Sequence, residues 1–368
     1  DGVFNHASRG FFQFNHILEN GPASPYVDWF DIKGYPLNAY GPGKPKYRCW
    51  VGLAALPEFN TKNPQVRQVI MSVARYWLEQ GIDGWRLDVP FCIDDDNFWQ
   101  EFRQVVKSTN PDAYIVGEVP WEAQRWLKGD QFDAVMNYQF TQACVGFFAG
   151  ERMNRHYEKG MMGLPETPVM DAPAFARRVE ALLSLYPQPV SFAQLNLLDS
   201  HDMPRFLSIA SDDKQSLKLA VLFMMTYPGA PCIYYGDEVG LQNGPTTTPE
   251  DCRYSFPWDE TRWDHDLRKH YQRCTALRNK YVALRTGSLK VIYAHRQELA
   301  FLRQKDRETL LVALNNGSES WRIDLKIPVE QCVGKGQLQG GEVIIQNGCL
   351  TGMTLPPRSG EIFLLQKE

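Results

Sequence analysis

Apolar and polar positions along residues 62–287 follow two periods in turn, one typical of helices and one typical of short buried strands. The first helix is predicted to begin at Asn63-Pro64, because Asn is a favourable N-cap and Pro suits the first turn. Gly81 is predicted to end this helix. Five strands are predicted, in the segments GIDGWRLDV (81–89), AYIVGE (113–118), QFDAVMNY (131–138), FAQLNLLDS (192–200) and APCIYYGDE (230–238).

Helical stretches separate these strands, and the residues before Asn5 have the pattern of a sixth strand. Such alternation favours a parallel sheet covered by helices. Polar or acidic residues follow the strands, at Asn5, Asp88, Glu118, 199–202 and Asp237. We therefore expect an α/β fold, a TIM (β/α)8 barrel with its functional residues at the C-terminal strand ends. A doubly wound open sheet is the alternative, but it would favour a Gly-rich phosphate loop, which the sequence lacks.

Two further regions interrupt and follow the predicted barrel. Residues 7–61 are rich in Gly, Pro and aromatic residues and have little periodicity, and so long a loop inside a compact fold is usually functional. From residue 288 onwards, short strands separated by turn residues predict an antiparallel β-sandwich without helices. We therefore predict a barrel domain at 1–6 and 62–287, a loop domain at 7–61 and a C-terminal β domain at 288–368.

Composition and charge exclude several classes of partner. The 368 residues carry a formal net charge of −4 without basic clusters, so neither nucleic acid nor an anionic membrane is an expected partner. No apolar run approaches the ~18 residues of a membrane-spanning helix. The eight cysteines are dispersed, with neither a C-x-x-C pair nor metal-ligand spacing, which favours a reducing compartment and predicts a cytoplasmic location.

Three carboxylates at predicted strand ends are candidates for catalysis. Arg86 and Asp88 lie two residues apart on a strand and so point to one face, where the guanidinium favours the ionised carboxylate. Considered alone, a pair such as Arg86 and Asp88 is more often a structural ion pair. Glu118 alone could be an ordinary carboxylate at the end of a strand, and His201-Asp202 alone would more often be a loop contact. Taken together, they fit acetal hydrolysis, which needs one carboxyl group as acid and another as nucleophile or base.

Six short stretches of the chain resemble known signatures. They are DGVFNH (1–6), LPEFN (56–60), GWRLDV (84–89), IVGE (115–118), LLDSHD (197–202) and YYGDEVG (234–240). In this order they are similar to the signatures of the α-amylase family of retaining glycoside hydrolases. The resemblance places DGVFNH at the end of barrel strand three, and implies that strands three to eight lie in this chain.

The resemblance implies a role for each matching residue. Asp88 would be the nucleophile that forms a covalent glycosyl-enzyme, and Glu118 the general acid/base. Asp202 would hold the hydroxyls of the sugar in subsite −1 and favour its distortion toward the transition state. Further substrate contacts are expected from His6, Trp50, Arg86, Phe91, Trp121, His201 and Arg205. No cofactor is expected, and no residue of this chain is assigned to a metal.

A finer resemblance points to the neopullulanase, cyclomaltodextrinase and maltogenic amylase branch, because RWLKGDQFDAVMNYQFT (125–141) is very similar to it. The chain departs from the branch at 90–92, where Pro-Phe-Cys replaces Ala-Asn-Glu, and at 119–121, where Val-Pro-Trp replaces Ile-Trp-His. The resemblance implies cleavage of α-1,4-glucosidic bonds in maltodextrins, cyclodextrins or pullulan. Because both departures line the acceptor side, the chain could instead belong to a glucanotransferase or an α-1,6-acting glucosidase. A non-catalytic carbohydrate-binding fragment is a further alternative.

The start of the chain carries a separate expectation. If Asp1 lies at the end of strand three, barrel strands one and two precede it, with any N-terminal sugar-binding domain. We therefore expect a fragment of a longer enzyme, whose calcium ligands, where present, would lie in the preceding part. A homodimer of the complete enzyme is compatible with this resemblance.

Overall fold

The computed structural model of this chain describes residues 1–158, 164–245, 249–329 and 331–366. The chain divides into two units, Asp1–Met136 and Asn137–Glu368. The first unit contains α1 (Phe12–Asn20), α2 (Pro64–Glu79), β1 (Gly84–Leu87), α3 (Asp96–Thr109), β2 (Tyr114–Gly117) and β3 (Ala134–Val135). Among the described residues, no helix is both long and apolar enough to span a bilayer.

The sheet of the first unit is parallel, in the order β1-β2-β3. The predicted strands at 81–89 and 113–118 are confirmed, whereas the one at 131–138 is reduced to two residues. The N-terminal strand is reduced further, to a single parallel bridge between Gly2 and Leu87. Gly2 N donates to Arg86 O at 2.6 Å, and Asp88 N donates to Gly2 O at 3.1 Å. Even this one bridge fixes the N-terminus beside β1.

Helix α2 begins where the sequence predicts. The Asn63 side chain accepts hydrogen bonds from Gln65 N and Val66 N, and Pro64 occupies the first turn. Gly81 has a φ of 96°, the left-handed conformation that ends helices. One face of α2 is buried through Val66, Ile70, Met71, Ala74 and Leu78, while Val69, Val73, Tyr76 and Trp77 are exposed.

Residues 7–61 contain more regular structure than the sequence predicts. They form α1 and short 3-10 turns, and isolated antiparallel bridges join His6 to Glu58 and Cys49 to Pro57. Buried Phe14 of α1 packs edge-on against Phe30 and Tyr47, with ring centroids 5.0 and 4.9 Å away. Aromatic packing in this segment takes the place of the regular apolar period on which helix prediction depends.

The second unit begins with helices around a two-stranded parallel sheet, β4-β5. Its elements are α4 (Tyr138–Cys144), α5 (Arg155–Glu158), α6 (Ala172–Ser184), α7 (Gln188–Ala193), β4 (Leu195–Leu197), α8 (Phe206–Ile209), α9 (Lys214–Thr226), β5 (Ala230–Cys232), α10 (His265–Lys280) and α11 (Val282–Thr286). Both predicted strands are present, and helical stretches precede them as expected, in α6 and α9.

The unit ends in an eight-stranded antiparallel sheet in the order β6-β7-β8-β13-β10-β11-β12-β9. Its strands are β6 (Ser288–His295), β7 (Glu298–Lys305), β8 (Glu308–Asn315), β9 (Trp321–Lys326), β10 (Gln331–Gly336), β11 (Glu342–Gln346), β12 (Cys349–Leu355) and β13 (Ser359–Gln366). Side chains from its strands share one buried cluster around Trp321, Ile323, Ile345 and Phe363. The prediction of a β region without helices holds for the described residues after 288.

A partly buried histidine makes the second unit sensitive to acid. His270 on α10 lies with Nε2 2.8 Å from Lys218 O of α9, and burial lowers its pKa to about 4. An unfolded histidine has a pKa of about 6.5, so the unfolded chain binds the proton more tightly. The corresponding stability is fully present above pH 6.5 and is lost as the pH falls toward 4.

Replacing His270 by Gln is expected to flatten this dependence, because a Gln amide can still donate to Lys218 O but does not titrate. The wild-type protein should lose up to about 3 kcal/mol more than the variant between pH 7 and pH 4. Urea unfolding at several pH values measures the difference. The control is the same substitution at exposed His265, at the start of the same helix. Parallel curves for wild type and His270→Gln would contradict the assignment.

Candidate active site

The first group of candidate residues lies where β1 and β2 end. The two strands pair in parallel register, with Leu87 opposite Gly117, and Glu118 N donates to Leu87 O at 2.9 Å. Asp88 and Glu118 therefore leave neighbouring strands at the same level, and neighbouring strands lie about 4.8 Å apart. The pairing brings two candidate catalytic carboxylates side by side.

One guanidinium group binds both carboxylates. Arg86 Nη1 donates to Asp88 Oδ1 at 2.8 Å, Nη2 donates to Glu118 Oε1, and Nε lies 3.6 Å from Asp1 Oδ1. The Glu118 side chain is only 2% exposed, whereas that of Asp88 is 21% exposed. Two carboxylates on one guanidinium fork are held close together, and their charge repulsion is offset. This arrangement suits the separation of about 5–5.5 Å that retaining glycosidases use.

Backbone features hold this pair in place. Val89 adopts φ 34° and ψ 51°, which is unfavourable for a β-branched residue, and its N–H donates to Glu118 Oε2 at 3.3 Å. Strained backbone of this kind is typical of functional sites. Gly117 is required for packing, because a Cβ there would lie 2.8 Å from the Phe132 ring. The backbone of Val89 and the absence of a side chain at Gly117 thus both help to position the two carboxylates.

His6 lies in the same unit and stacks on Trp50. Their ring centroids are 5.1 Å apart with the planes inclined by 25°, and Asn5 Nδ2 lies 3.4 Å from His6 Nδ1. Burial lowers the pKa of His6, while the charge of Asp88 acts in the opposite direction. The imidazole is therefore neutral near pH 7 and can hydrogen-bond a hydroxyl group without carrying charge. The Trp50 indole also donates a hydrogen bond to the thiol of Cys92.

Phe91 and Trp121 form an aromatic pair, and each follows one of the two carboxylates along the chain. Their ring centroids are 4.7 Å apart, and Trp121 is 45% exposed. Phe91 follows Asp88 by three residues and Trp121 follows Glu118 by three, in the two stretches where the chain departs from the branch that it resembles. The structure brings these two departures into contact, so they form one surface.

His201 and Asp202 form the candidate site of the second unit. His201 Nε2 lies 2.9 Å from Asp202 Oδ2, and Arg253 Nη2 donates to Asp202 Oδ1 at 2.5 Å. Arg253 Nε also donates to His201 O at 2.7 Å. Sequence reasoning missed Arg253, because it lies 51 residues after Asp202 in a stretch without helical or strand periodicity. Both carboxylate oxygens of Asp202 thus have cationic or imidazole partners.

Arg205 corrects an expectation, because its side chain is completely buried. Its Nη1 donates to Asp237 Oδ1 at 2.9 Å and to Tyr235 O at 2.8 Å, and the guanidinium lies over the Tyr234 ring. With no exposed surface, Arg205 cannot contact a sugar, and it instead fastens the loop that carries Asp202. Burial and the charge of neighbouring Asp199 raise the pKa of Asp237 well above its ordinary value.

Comparison with protein families identifies this arrangement. Residues 1–281 match "Alpha amylase, catalytic domain", and residues 289–363 match "Neopullulanase-like, C-terminal domain". The chain belongs to the α-amylase family. The match confirms the family and the fold class predicted from the six signatures, and the antiparallel sheet β6–β13 corresponds to the C-terminal domain of that family.

Individual α-amylase family members agree with the predicted branch. A cyclomaltodextrinase of Bacillus sp is 45% identical over 319 residues, covering 86% of this chain and 53% of that protein. Neopullulanase 2 of Thermoactinomyces vulgaris is 38% identical over 367 residues, covering 99% and 57%. A debranching enzyme from Nostoc punctiforme has a TM-score of 0.89 and 43% identity, covering 99% of this chain and 75% of that structure. The chain spans little more than half the length of the two curated relatives.

Proposed function

We propose that this chain carries the catalytic residues of a retaining glycoside hydrolase that cleaves α-1,4-glucosidic bonds in maltodextrins, cyclodextrins or pullulan. The observation that carries the proposal is the contact of Arg86 with both Asp88 and Glu118 at the ends of adjacent strands. A pair of close carboxyl groups is what the double displacement of a retaining enzyme requires. The names of the cyclomaltodextrinase and neopullulanase relatives support the substrate class.

The first step forms a covalent intermediate. An Asp88 oxygen attacks the anomeric carbon from the face opposite the leaving group, while protonated Glu118 gives its proton to the glycosidic oxygen. The C1–O bond to the leaving sugar breaks as the C1–Oδ bond forms. Arg86 stabilises the carboxylates before and after this transfer, because it contacts both.

The second step regenerates the enzyme. Glu118, now ionised, removes a proton from water as the water oxygen attacks C1, and the ester bond to Asp88 breaks. Two inversions at C1 leave the product in the α configuration. We assign Asp202 and His201 to the hydroxyls of the reacting sugar, and neutral His6 to a further hydroxyl, because charge-assisted hydrogen bonds that strengthen in the transition state favour catalysis.

The loop domain at 7–61 is proposed to contribute directly to substrate binding. Its Trp50 stacks on His6 and hydrogen-bonds Cys92, four residues after Asp88. We also propose a cytoplasmic location for the enzyme, since all eight cysteines of the chain are free thiols, which reducing compartments favour.

A second candidate is cleavage of α-1,6 bonds or transfer to a sugar acceptor. The Phe91–Trp121 pair favours this candidate, because an exposed aromatic surface beside the acid/base residue can hold an acceptor sugar in place of water. The similarity to the debranching enzyme of Nostoc punctiforme supports the same alternative. Both candidates use the same three carboxylates.

Product analysis tests and separates these functions. Pullulan consists of maltotriose units joined by α-1,6 bonds, so α-1,4 cleavage yields panose or isopanose, depending on which α-1,4 bond is cut, and α-1,6 cleavage yields maltotriose. We expect panose from pullulan and α-configured products from maltotriose, detected by proton NMR within the first minutes. Maltotriose from pullulan would favour the second candidate. Products of β configuration would contradict the retaining mechanism itself.

A further inference from the structure

The segment 252–263 that follows β5 carries an unusual aromatic surface. Trp258 is 83% exposed, more than any other large apolar side chain in the described part of the chain, and Tyr254 is also exposed. The Trp258 ring packs edge-on against Phe256, with centroids 4.9 Å apart, and Phe256 packs against Trp263 at 5.8 Å. An exposed apolar cluster of this kind indicates a binding surface.

The cluster is held in a fixed arrangement. Trp263 Nε1 donates to Pro257 O at 2.5 Å, and the Arg268 guanidinium lies 4.5 Å from the centre of the Trp263 ring. Asp259 caps the short 3-10 turn at 260–262 by accepting from Thr261 N at 3.0 Å. Phe256 and Trp263 are partly buried and form a base on which Trp258 stands toward solvent. Its exposure therefore follows from the local fold.

The same segment starts at the candidate substrate residues. Arg253 binds Asp202 and the His201 carbonyl, and Cys252 Sγ donates to the same carbonyl at 3.1 Å. Tyr254 O accepts a hydrogen bond from Tyr235 OH at 2.7 Å. The aromatic side chains thus follow directly, along the chain, from the arginine that holds Asp202.

We propose that Tyr254, Phe256 and Trp258 form a sugar-stacking surface that binds additional glucose units of an α-glucan whose reacting unit is held by Asp202. The C–H face of a glucopyranose ring is apolar and matches an exposed aromatic face, while its hydroxyls remain in water. No ionised group lies between these three side chains in sequence, so the strip between Tyr254 and Trp258 suits a neutral polyol. This inference rests on the function proposed above and extends it to longer substrates.

Binding measurements in an Asp88→Asn background test the surface without turnover. Adding Trp258→Ala should weaken the binding of maltoheptaose about tenfold, equivalent to about 1.4 kcal/mol, and weaken maltotriose much less. Trp258→Phe should retain most of the maltoheptaose affinity, because it keeps an aromatic face. The matched control is Trp77→Ala, which removes another exposed tryptophan from α2 and should alter neither affinity. Isothermal titration calorimetry gives both constants, and circular dichroism checks folding.

Equal maltoheptaose affinity with and without Trp258→Ala would overturn the proposal. A loss that is equal for both sugars, or equal in the Trp77→Ala control, would also overturn it. If Trp258→Ala changes the sedimentation behaviour but not the affinity, the surface joins two copies of the chain and the proposal is wrong. These binding results are independent of turnover, so absence of hydrolysis by the complete enzyme would reject the proposed function without deciding this inference.

Discussion

Replacing Asp88 by Asn is expected to lower kcat for maltotriose by about four orders of magnitude or more. The amide has almost the same shape as the carboxylate, but it cannot act as the nucleophile that forms the glycosyl ester. Arg86 keeps its contact with Glu118, so the fold should survive. Initial rates of glucose and maltose release, measured over hours at high enzyme concentration, check the expected loss.

Asp83→Asn is the matched control, because it makes the same substitution at the opposite end of β1, where the side chain is exposed. This variant should retain wild-type kcat. Turnover within tenfold of wild type in Asp88→Asn would remove the assigned nucleophile. Thermal unfolding of all three proteins establishes that the loss of rate is not a loss of structure.

Replacing Glu118 by Gln should lower kcat on maltotriose by roughly 10²–10⁴-fold, the usual contribution of a general acid/base. The loss should be far smaller in the first step with α-maltosyl fluoride, since fluoride leaves without a proton. Gln can still accept a hydrogen bond from Val89 N, so the strained turn after Asp88 should persist. Burst-phase kinetics with the fluoride separate formation of the intermediate from its hydrolysis.

Comparing maltotriose with α-maltosyl fluoride tests whether Glu118 acts as the acid. If Glu118→Gln reduces the fluoride burst and maltotriose cleavage equally, Glu118 is not the acid. If neither rate changes, the residue is structural and its burial serves only the contact with Arg86. Either result would leave the identity of the acid open and would contradict the proposed double displacement.

Local signals in the sequence predicted much of the framework. Asn63 and Pro64 marked the start of α2, because capping depends on the residues of one helical turn. Asp88 and Glu118 could be paired from sequence, since parallel strands end at a common edge. These predictions concern interactions within a strand or between adjacent strands, where spacing along the chain determines geometry.

Interactions between distant segments could not be predicted in the same way. Arg205 was expected to contact the substrate, yet Asp237 and two tyrosine rings enclose it. The partnership of Arg253 with Asp202 joins residues far apart in a stretch without periodicity. Helix α1 was not predicted, because it packs through aromatic contacts and its sequence lacks a regular apolar period. In each case the deciding contact is tertiary, and the local sequence contains no sign of it.

The central claim is that Asp88 forms a covalent bond with the sugar, and trapping that intermediate tests it most directly. A fluorinated maltosyl donor slows the second step because fluorine on the ring destabilises the oxocarbenium-like transition state. After reaction, proteolysis and tandem mass spectrometry locate the added sugar. We predict one maltosyl adduct, on Asp88 in the GWRLDV stretch. An adduct on another carboxylate, or fully active protein without any adduct after prolonged exposure, would contradict the account.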